Sequence, residues 1–239
     1  MLHLKTTLIT LTAAFSANIS YSTAQQTYKP TTLWPYVNSE FTQGTVYQSG
    51  GRATDATLNV HLMSGELHSL KSDNISAVTL TEIDSVRIGS TTFIPSDGCM
   101  CEVLGHSGRM FVVKKVIGDF NKLMSGTGAY GTTLSTSGRR ELTSLEIGGI
   151  NQTNHGLLRQ NREQSQILPV KTSRLIIITS ADAKAAPHVV DCTARSVKEL
   201  IAADKQDEWK AAVKSAKIKW SKDESAGEVA ALVDKFIQE

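Results

Sequence analysis

His61, Glu66 and His68 lie close together in the run LNVHLMSGELHSL, where Ser64-Gly65 suits a tight turn between two alternating segments. A hairpin there sets His61 near Glu66, a pair that can bind a metal ion or serve as acid and base. As solvent-facing polar positions of a half-buried hairpin, all three residues are accounted for without any such role. Cys99-Met100-Cys101 puts two thiols on one face of a strand. With His106, or with His188 and Cys192 drawn in by folding, they make a tetrahedral metal site chemically possible. Standard zinc modules, however, separate a cysteine pair by two or more residues. Two packed thiols, or one of them bonded to Cys192, is the plainer expectation. In His188-Val-Val-Asp191-Cys192 a cysteine follows a histidine, but a nucleophilic thiol needs that imidazole within hydrogen-bond reach and an oxyanion hole as well. Residues 126–131 (GTGAYG) match G-x-G-x-x-G, yet TTLSTSGRR follows where a dinucleotide site requires the opening of a helix. No catalytic, cofactor-binding or metal-binding residue is assigned, and no cofactor is expected.

Gly105-His106-Ser107-Gly108 is similar to the Gly-Asp-Ser-Gly of trypsin-like serine proteases, with His in place of Asp and no matching His or Asp context elsewhere. Between two strand-like runs it reads as a turn. Arg139-Arg140 reads as a solvated pair or a protease-sensitive point. Asn74-Ile-Ser and Asn151-Gln-Thr fit the N-glycosylation pattern, which matters only in a host that glycosylates exported proteins. The chain has 25 basic and 23 acidic side chains, a balance too even to favour nucleic acid or an anionic membrane as partner. Aromatic residues make up 6%, too few for repeated base-stacking platforms.

Residues 1–24 combine a basic start at Lys5, an apolar run over residues 8–15, and small residues at Ser22 and Ala24. These are the parts of a secretory signal peptide with cleavage before Gln25. The apolar run is too short and too rich in Thr and Ser to span a bilayer core of about 30 Å. A soluble secreted or periplasmic protein is therefore expected, with no integral membrane span in the mature chain. The three cysteines, all beyond residue 24, allow one disulfide and one thiol in an oxidising compartment.

The elements that must position these side chains follow in order. Residues 25–43 form an extended arm restricted by Pro30 and Pro35, with Trp34 and Tyr36 available to dock it. Residues 44–195 form a β-rich domain. Strands are expected over residues 45–47, 57–63, 66–71, 77–80, 85–88, 92–94, 100–104, 110–116, 174–179 and 186–191, with turns at Gly89-Ser90 and at residues 105–108. A polar segment, residues 118–171, interrupts the domain and is expected to be mostly loosely attached. Residues 196–239 form amphipathic helices, introduced by the capping boxes Ser196-x-x-Glu199 and Ser221-x-x-Glu224. The fold class is α+β: an antiparallel β-rich meander or sandwich body with a C-terminal helical unit.

STAQ at the end of the leader, LNVHLMSGELHSL followed by EIDSVRIGSTTFIP, the GAYG of the polar segment and the closing helices together resemble uncharacterised secreted proteins of Bacteroidota-type Gram-negative bacteria. That resemblance implies location and architecture, and no activity. The expected function is a non-enzymatic binding or envelope-associated interaction protein, its partner an envelope protein or an extracellular ligand. The alternative is a hydrolase or metal-dependent enzyme. It requires that three or more of His61, Glu66, His106, His188, Cys99, Cys101 and Cys192 converge on one pocket.

Overall fold

In SVRIG, Val86 and Ile88 are buried while Arg87 between them faces solvent, the two-residue period of a strand with one wet face. Gly89-Ser90 then reverses the chain so that Ile88 pairs with Thr91. The same logic repeats along the protein. The structure, a computed structural model, describes residues 28–80, 82–125, 153–162, 166–180 and 185–237. The leader, the G-x-G-x-x-G run, Arg139-Arg140 and Asn151 lie outside the described residues.

The strands are β1 (Thr42–Gln48), β2 (Arg52–Val60), β3 (Leu67–Lys71), β4 (Asn74–Ala77), β5 (Ile83–Ile88), β6 (Thr91–Ser96), β7 (Cys99–Ser107), β8 (Met110–Gly118), β9 (Thr153–Asn154), β10 (Val170–Ile178) and β11 (His188–Asp191). Among the described residues they form one antiparallel sheet in the order β11-β10-β8-β7-β6-β5-β1-β2-β3-β4-β9. Helices are α1 (Phe120–Ser125), α2 (His155–Asn161), α3 (Ala194–Lys198), α4 (Gln206–Ala216) and α5 (Ala226–Phe236). The fold is α+β and β-rich, as the patterning predicts.

The sheet curls on itself. The turn between β2 and β3 reaches the far half of the sheet, where Met100 N–H donates to the Gly65 carbonyl at 2.7 Å and Gly118 N–H to the Leu62 carbonyl at 2.6 Å. Gly65 is required there: its φ is +75°, and a Cβ would lie 2.5 Å from Cys99 Sγ. The curl encloses a core of Val46, Leu58, Val60, Leu67, Val86, Ile88, Phe93 and Met100. Farther along the same face of β8 and β10, Met110, Val112 and Ile176 are covered by the C-terminal helices through Val197, Trp209, Val229, Ala230, Val233 and Phe236. Cys101, Val113 and Ile177 are buried on the opposite face. Both faces of β8 and β10 are therefore apolar, which is why residues 174–179 read as one unbroken run.

Several expectations are corrected. Residues 105–108 are not a turn: β7 runs through Ser107, and the reversal falls at Gly108-Arg109. Gly105 sits at an irregularity of the β7–β8 pairing and under α5, where its lack of a side chain matters. A Cβ on Gly105 would lie 2.5 Å from Gly227 N and 2.7 Å from Ala226 C. Ser196 does not cap α3. Thr193, in extended conformation, accepts from Ser196 N–H at 3.1 Å, because the chain turns into the helix directly off β11. Ser221-x-x-Glu224 does not open α5 either; a 3₁₀ turn, Asp223–Ser225, precedes that helix. Asp223 is used instead in ion pairs with Lys114 (3.3 Å) and Arg174 (3.4 Å), fastening the turn to the sheet.

The polar segment is more firmly attached at its ends than its composition suggests. Residues 170–173 extend β10 against the end of β8. Residues 153–162 supply β9 and α2, with Asn154 capping α2 by accepting from Leu157 N–H at 3.1 Å. The helices are not a separate module, since they cover the sheet and complete its core.

Close approach of α5 to β7 makes a prediction of opposite signs. Gly105→Ala should lower stability by about 1–3 kcal/mol, because the added methyl meets backbone rather than a yielding side chain. Gly227→Ala, whose Cβ meets nothing within 4 Å, should be neutral or stabilise by up to about 1 kcal/mol. Urea unfolding midpoints measure both, and equal midpoints for the two variants would refute this packing.

Candidate functional site

Among the described residues two places gather side chains that can do chemistry: a buried histidine cluster beneath the N-terminal arm, and an open cavity where the sheet meets the helices.

Alternation along β2 and β3 puts Asn59, His61, His68 and Leu70 on the face away from the curled core. That expectation leaves the polar ones in solvent, but the arm covers them. Val37 N–H donates to the Val60 carbonyl at 3.0 Å and Leu62 N–H to the Pro35 carbonyl at 2.7 Å, so the arm runs against the end of β2. Asn59, fully buried, stitches it down: its amide nitrogen donates to the carbonyls of Asn38 (2.9 Å) and Glu40 (3.1 Å), and its oxygen accepts from Asn38 N–H at 3.1 Å. Trp34 and Tyr36 are buried with Ile75 and Leu158 of α2. The docked arm that Trp34 and Tyr36 suggest is what forms. From the other side, Thr32 N–H reaches the Gln166 carbonyl and Leu168 N–H the Pro30 carbonyl. Arg162 pairs with Glu40 at 2.6 Å.

Under this cover the rings of His61 and His68 stack, with centroids 4.8 Å apart and planes 10° from parallel. Tyr36 Oη lies 3.0 Å from His68 Nδ1, and Ser64 Oγ lies 2.9 Å from His61 Nδ1. With the Tyr36 hydroxyl donating to Nδ1, the His68 proton is on Nε2, aimed at Glu66 Oε2 at 3.7 Å. That gap is too long for a hydrogen bond, and both atoms are left without a partner. Burial, reinforced by the neighbouring His68, pushes His61 down to about 3. Burial also lowers His68, with Glu66 opposing, and raises Tyr36. The cluster is a neutral, covered polar core. A substrate would reach it only by displacing the arm.

The remaining candidate residues separate. Cys99 and Cys101 share the outer face of β7, as a strand requires; Cys101 is buried among Val113 and Ile177, and burial pushes its thiol up to about 11. Cys192 lies on the helix side of the sheet with Sγ 3.8 Å from the Trp220 carbonyl, its thiol also raised by burial. All three cysteines are free, so the pairing of Cys99 or Cys101 with Cys192 is not made. His188 begins β11, four residues before Cys192 and hence roughly 13 Å away along an extended chain, which denies Cys192 its base. His106 is exposed and stacks on Phe111. Ser107, the serine of the protease-like tetrad, donates to Asp234 of α5 at 3.0 Å and serves as an anchor. His61, Glu66 and Cys99 do meet at the Ser64-Gly65 turn, but around backbone rather than a cavity: Cys99 Sγ contacts the Ser64 carbonyl at 3.8 Å. Among the described residues no group of three or more His, Cys, Asp or Glu is arranged to hold a metal ion.

The cavity lies between the β10–β11 end of the sheet and the ends of the helices, with a volume of about 360 Å³. Ile178, Leu200, Phe236 and Ile237 give it an apolar wall, and Arg109, His188 and Lys205 line it with basic groups. Comparison with protein-family models, with curated proteins and with solved structures finds no match. The site therefore rests on its own geometry.

Of this cavity's lining, sequence reasoning singles out only His188 as a candidate for chemistry, with Leu200, Phe236 and Ile237 read as apolar helix faces. Arg109 is assigned by the position of the β8 turn, Leu200 by the end of α3, and Lys205 by the turn before α4; nothing local in the sequence marks them as neighbours. Tyr36 was legible as a docking residue, though not as the partner of His68.

Two outcomes follow from the covered cluster. An imidazole ordinarily titrates near 6.5. His61 is held near 3 in the fold, so protons bind the unfolded chain preferentially. Its contribution to stability is complete above pH 6.5 and is lost as pH falls toward 3, reaching on the order of 3 kcal/mol by pH 4. His61→Phe should flatten the decline of the urea midpoint between pH 7 and pH 4; an unchanged slope would show that His61 is not held neutral. Asn59→Ala leaves three backbone groups of the arm without partners and should cost about 2–4 kcal/mol. Limited proteolysis should then cut within residues 28–41 before the sheet is attacked.

Proposed function

We propose that this is a secreted or periplasmic binding protein of the cell envelope, with the cavity between the β10–β11 end and the C-terminal helices as its ligand site. The observation that carries the reading is a concave surface, part apolar and part polar, on which a few basic groups converge, a make-up that suits a small-molecule site. The export reading rests on the three-part leader in residues 1–24. Its partner is an extracellular or periplasmic ligand; an envelope protein as partner is the broader form of the same reading. No helix of the described residues is long and apolar enough to cross a membrane.

Binding is favoured over hydrolysis by where the reactive side chains are. A hydrolase needs a nucleophile, a base and an oxyanion site around one opening. Among the described residues His106, His188, Cys101 and Cys192 occupy separate surroundings, two of the thiols are buried, and the stacked pair His61 and His68 lies beneath the arm.

The test is native mass spectrometry of the protein recovered from its own compartment, compared with Ala186→Trp, which fills the cavity from an exposed wall position. A small molecule retained by the wild type and lost in the variant is the expected result. Identical spectra for the two proteins, or a purified chain that still begins at Met1, would overturn the corresponding half of the reading.

A further inference from the structure

Three buried imidazoles lie against one short stretch of the arm. Tyr36 packs on His61 and His68, with ring centroids 5.2 and 5.6 Å away, and His155 packs on Trp34 and Phe41. The two rings beneath Tyr36 both use Nδ1 as an acceptor. The Ser64 N–H points at His61 Nδ1 at 3.4 Å, and the Tyr36 hydroxyl serves His68 at 3.0 Å. A further proton on either ring goes to that nitrogen and turns one donor against another. Two protonated rings stacked at 4.8 Å also repel, with little water to screen them. Among the described residues, the Glu66 carboxylate faces the pair, 3.7 Å from His68, as does the Tyr36 phenol, which burial keeps protonated. From β7, Cys99 Sγ contacts the Ser64 carbonyl of the same turn, and from the arm the Tyr28 hydroxyl donates to the Tyr36 carbonyl. One carboxylate balances one proton, not two. Glu40, farther along the arm, is engaged by Arg162 and Arg159, and His155 has the Asp73 carboxylate 3.6 Å from its Nδ1. His155 thus has a counter-charge of its own, whereas His61 and His68 share one.

We propose that the arm is an acid-released latch: protonation of His61 and His68 lifts residues 28–41 off β2, β3 and β4 while the curled sheet and its helices stay folded. The inference goes beyond the binding reading above and does not involve the cavity. Release can be local because Trp34 and Tyr36 share a cluster with Ile75 and Leu158 that is separate from the curled core and from the helix-covered core. The two bonds that close the curl, Met100 to Gly65 and Gly118 to Leu62, involve no residue of the arm. Burial holds His61 near 3 and lowers His68, so each ring gains a proton once the arm lifts and the ordinary value near 6.5 returns. Docking is therefore complete above pH 6.5 and weakens as pH falls. Each proton gained favours release by about tenfold per pH unit, and the pair by up to about a hundredfold. Release uncovers a face that carries Asn59, Leu70 and Ile75 beside the two rings.

Fluorine NMR of the full mature chain carrying 5-fluorotryptophan tests this, with one reporter at Trp34 in the arm and two, Trp209 and Trp220, at the helix-covered core. Replacing each by Phe assigns the three resonances. Between pH 7 and about pH 4 the Trp34 resonance should move to its solvent-exposed position while the other two keep theirs, and return to pH 7 should restore it. The released-to-docked ratio should change by more than about tenfold per pH unit, the mark of more than one proton. His61→Phe and His68→Gln should each bring that dependence to about tenfold or less, whatever they do to the midpoint. His155→Gln should leave it unchanged. Three resonances moving together, or a Trp34 resonance fixed down to about pH 4, would overturn the latch. So would a wild-type ratio that changes by tenfold per pH unit or less. A steepness that survives the double variant His61→Phe/His68→Gln, as release through Glu40 would give, or that His155→Gln alone abolishes, would overturn the assignment to this pair.

Discussion

Two backbone hydrogen bonds at one turn hold the architecture together: Met100 N–H to the Gly65 carbonyl and Gly118 N–H to the Leu62 carbonyl. They join strands that stand far apart in the order of the sheet, and so convert a long ribbon into a curl with an inside. Such closure removes backbone groups from water and matches them, which a flat sheet of this width would leave to its neighbours. Val46, Leu58, Val60, Leu67, Val86, Ile88 and Phe93 face the space so enclosed, while Leu70 and Ile94 lie on the opposite face. The turn fits only because residue 65 has no side chain and adopts positive φ, leaving room for Cys99.

Closing the sheet in this way leaves the opposite face of β2, β3 and β4 to be covered by something else, and the arm does it. Its cover is uneven in character: Trp34 and Tyr36 bring apolar area, while Asn59 supplies hydrogen bonds that fix the arm's register. Two imidazoles are enclosed as a consequence, and low-dielectric surroundings favour their neutral form. The histidine cluster is thus better understood as a part of the docking surface than as a reactive centre. The same arm depends on Leu158, Arg162, Gln166 and Leu168, so the ends of the polar segment are built into the fold even though its composition is that of a loop.

The other half of the sheet solves the covering problem with helices. α5 lies close over Gly105, Trp209 packs against Phe236 and Trp220, and the Asp223 ion pairs fix where α5 begins. Helices cap a curved sheet imperfectly at its rim, where strand ends and helix ends diverge. The cavity occurs at that rim, lined by the end of β10, the start of β11, the end of α3 and the end of α5. Of its lining, Ile178 and Phe236 belong to the core beneath the helices, whereas Leu200 and Lys205 belong to neither core.

The sequence by itself determined most of the strands and turns, the β-rich class and the amphipathic faces of the closing helices, because these follow from residue-by-residue alternation and helical spacing; it put a strand at residues 77–80 where the structure has β4 at Asn74–Ala77, and it did not show β9. Local pattern also showed that Trp34 and Tyr36 would dock and that Cys99 and Cys101 would share a face. It misplaced the turn at Gly105 and the caps at Ser196 and Ser221, where a contact with α5, a cap one turn earlier and an ion pair with the sheet outweighed local preference. Only the tertiary structure decided which face of β2 and β3 was covered, and therefore that His61 and His68 are buried and neutral rather than solvated. It alone decided that Arg109, His188 and Lys205 meet, because their proximity depends on how helices close over a curled sheet, and alternation carries no information about distance between segments so far apart in the chain.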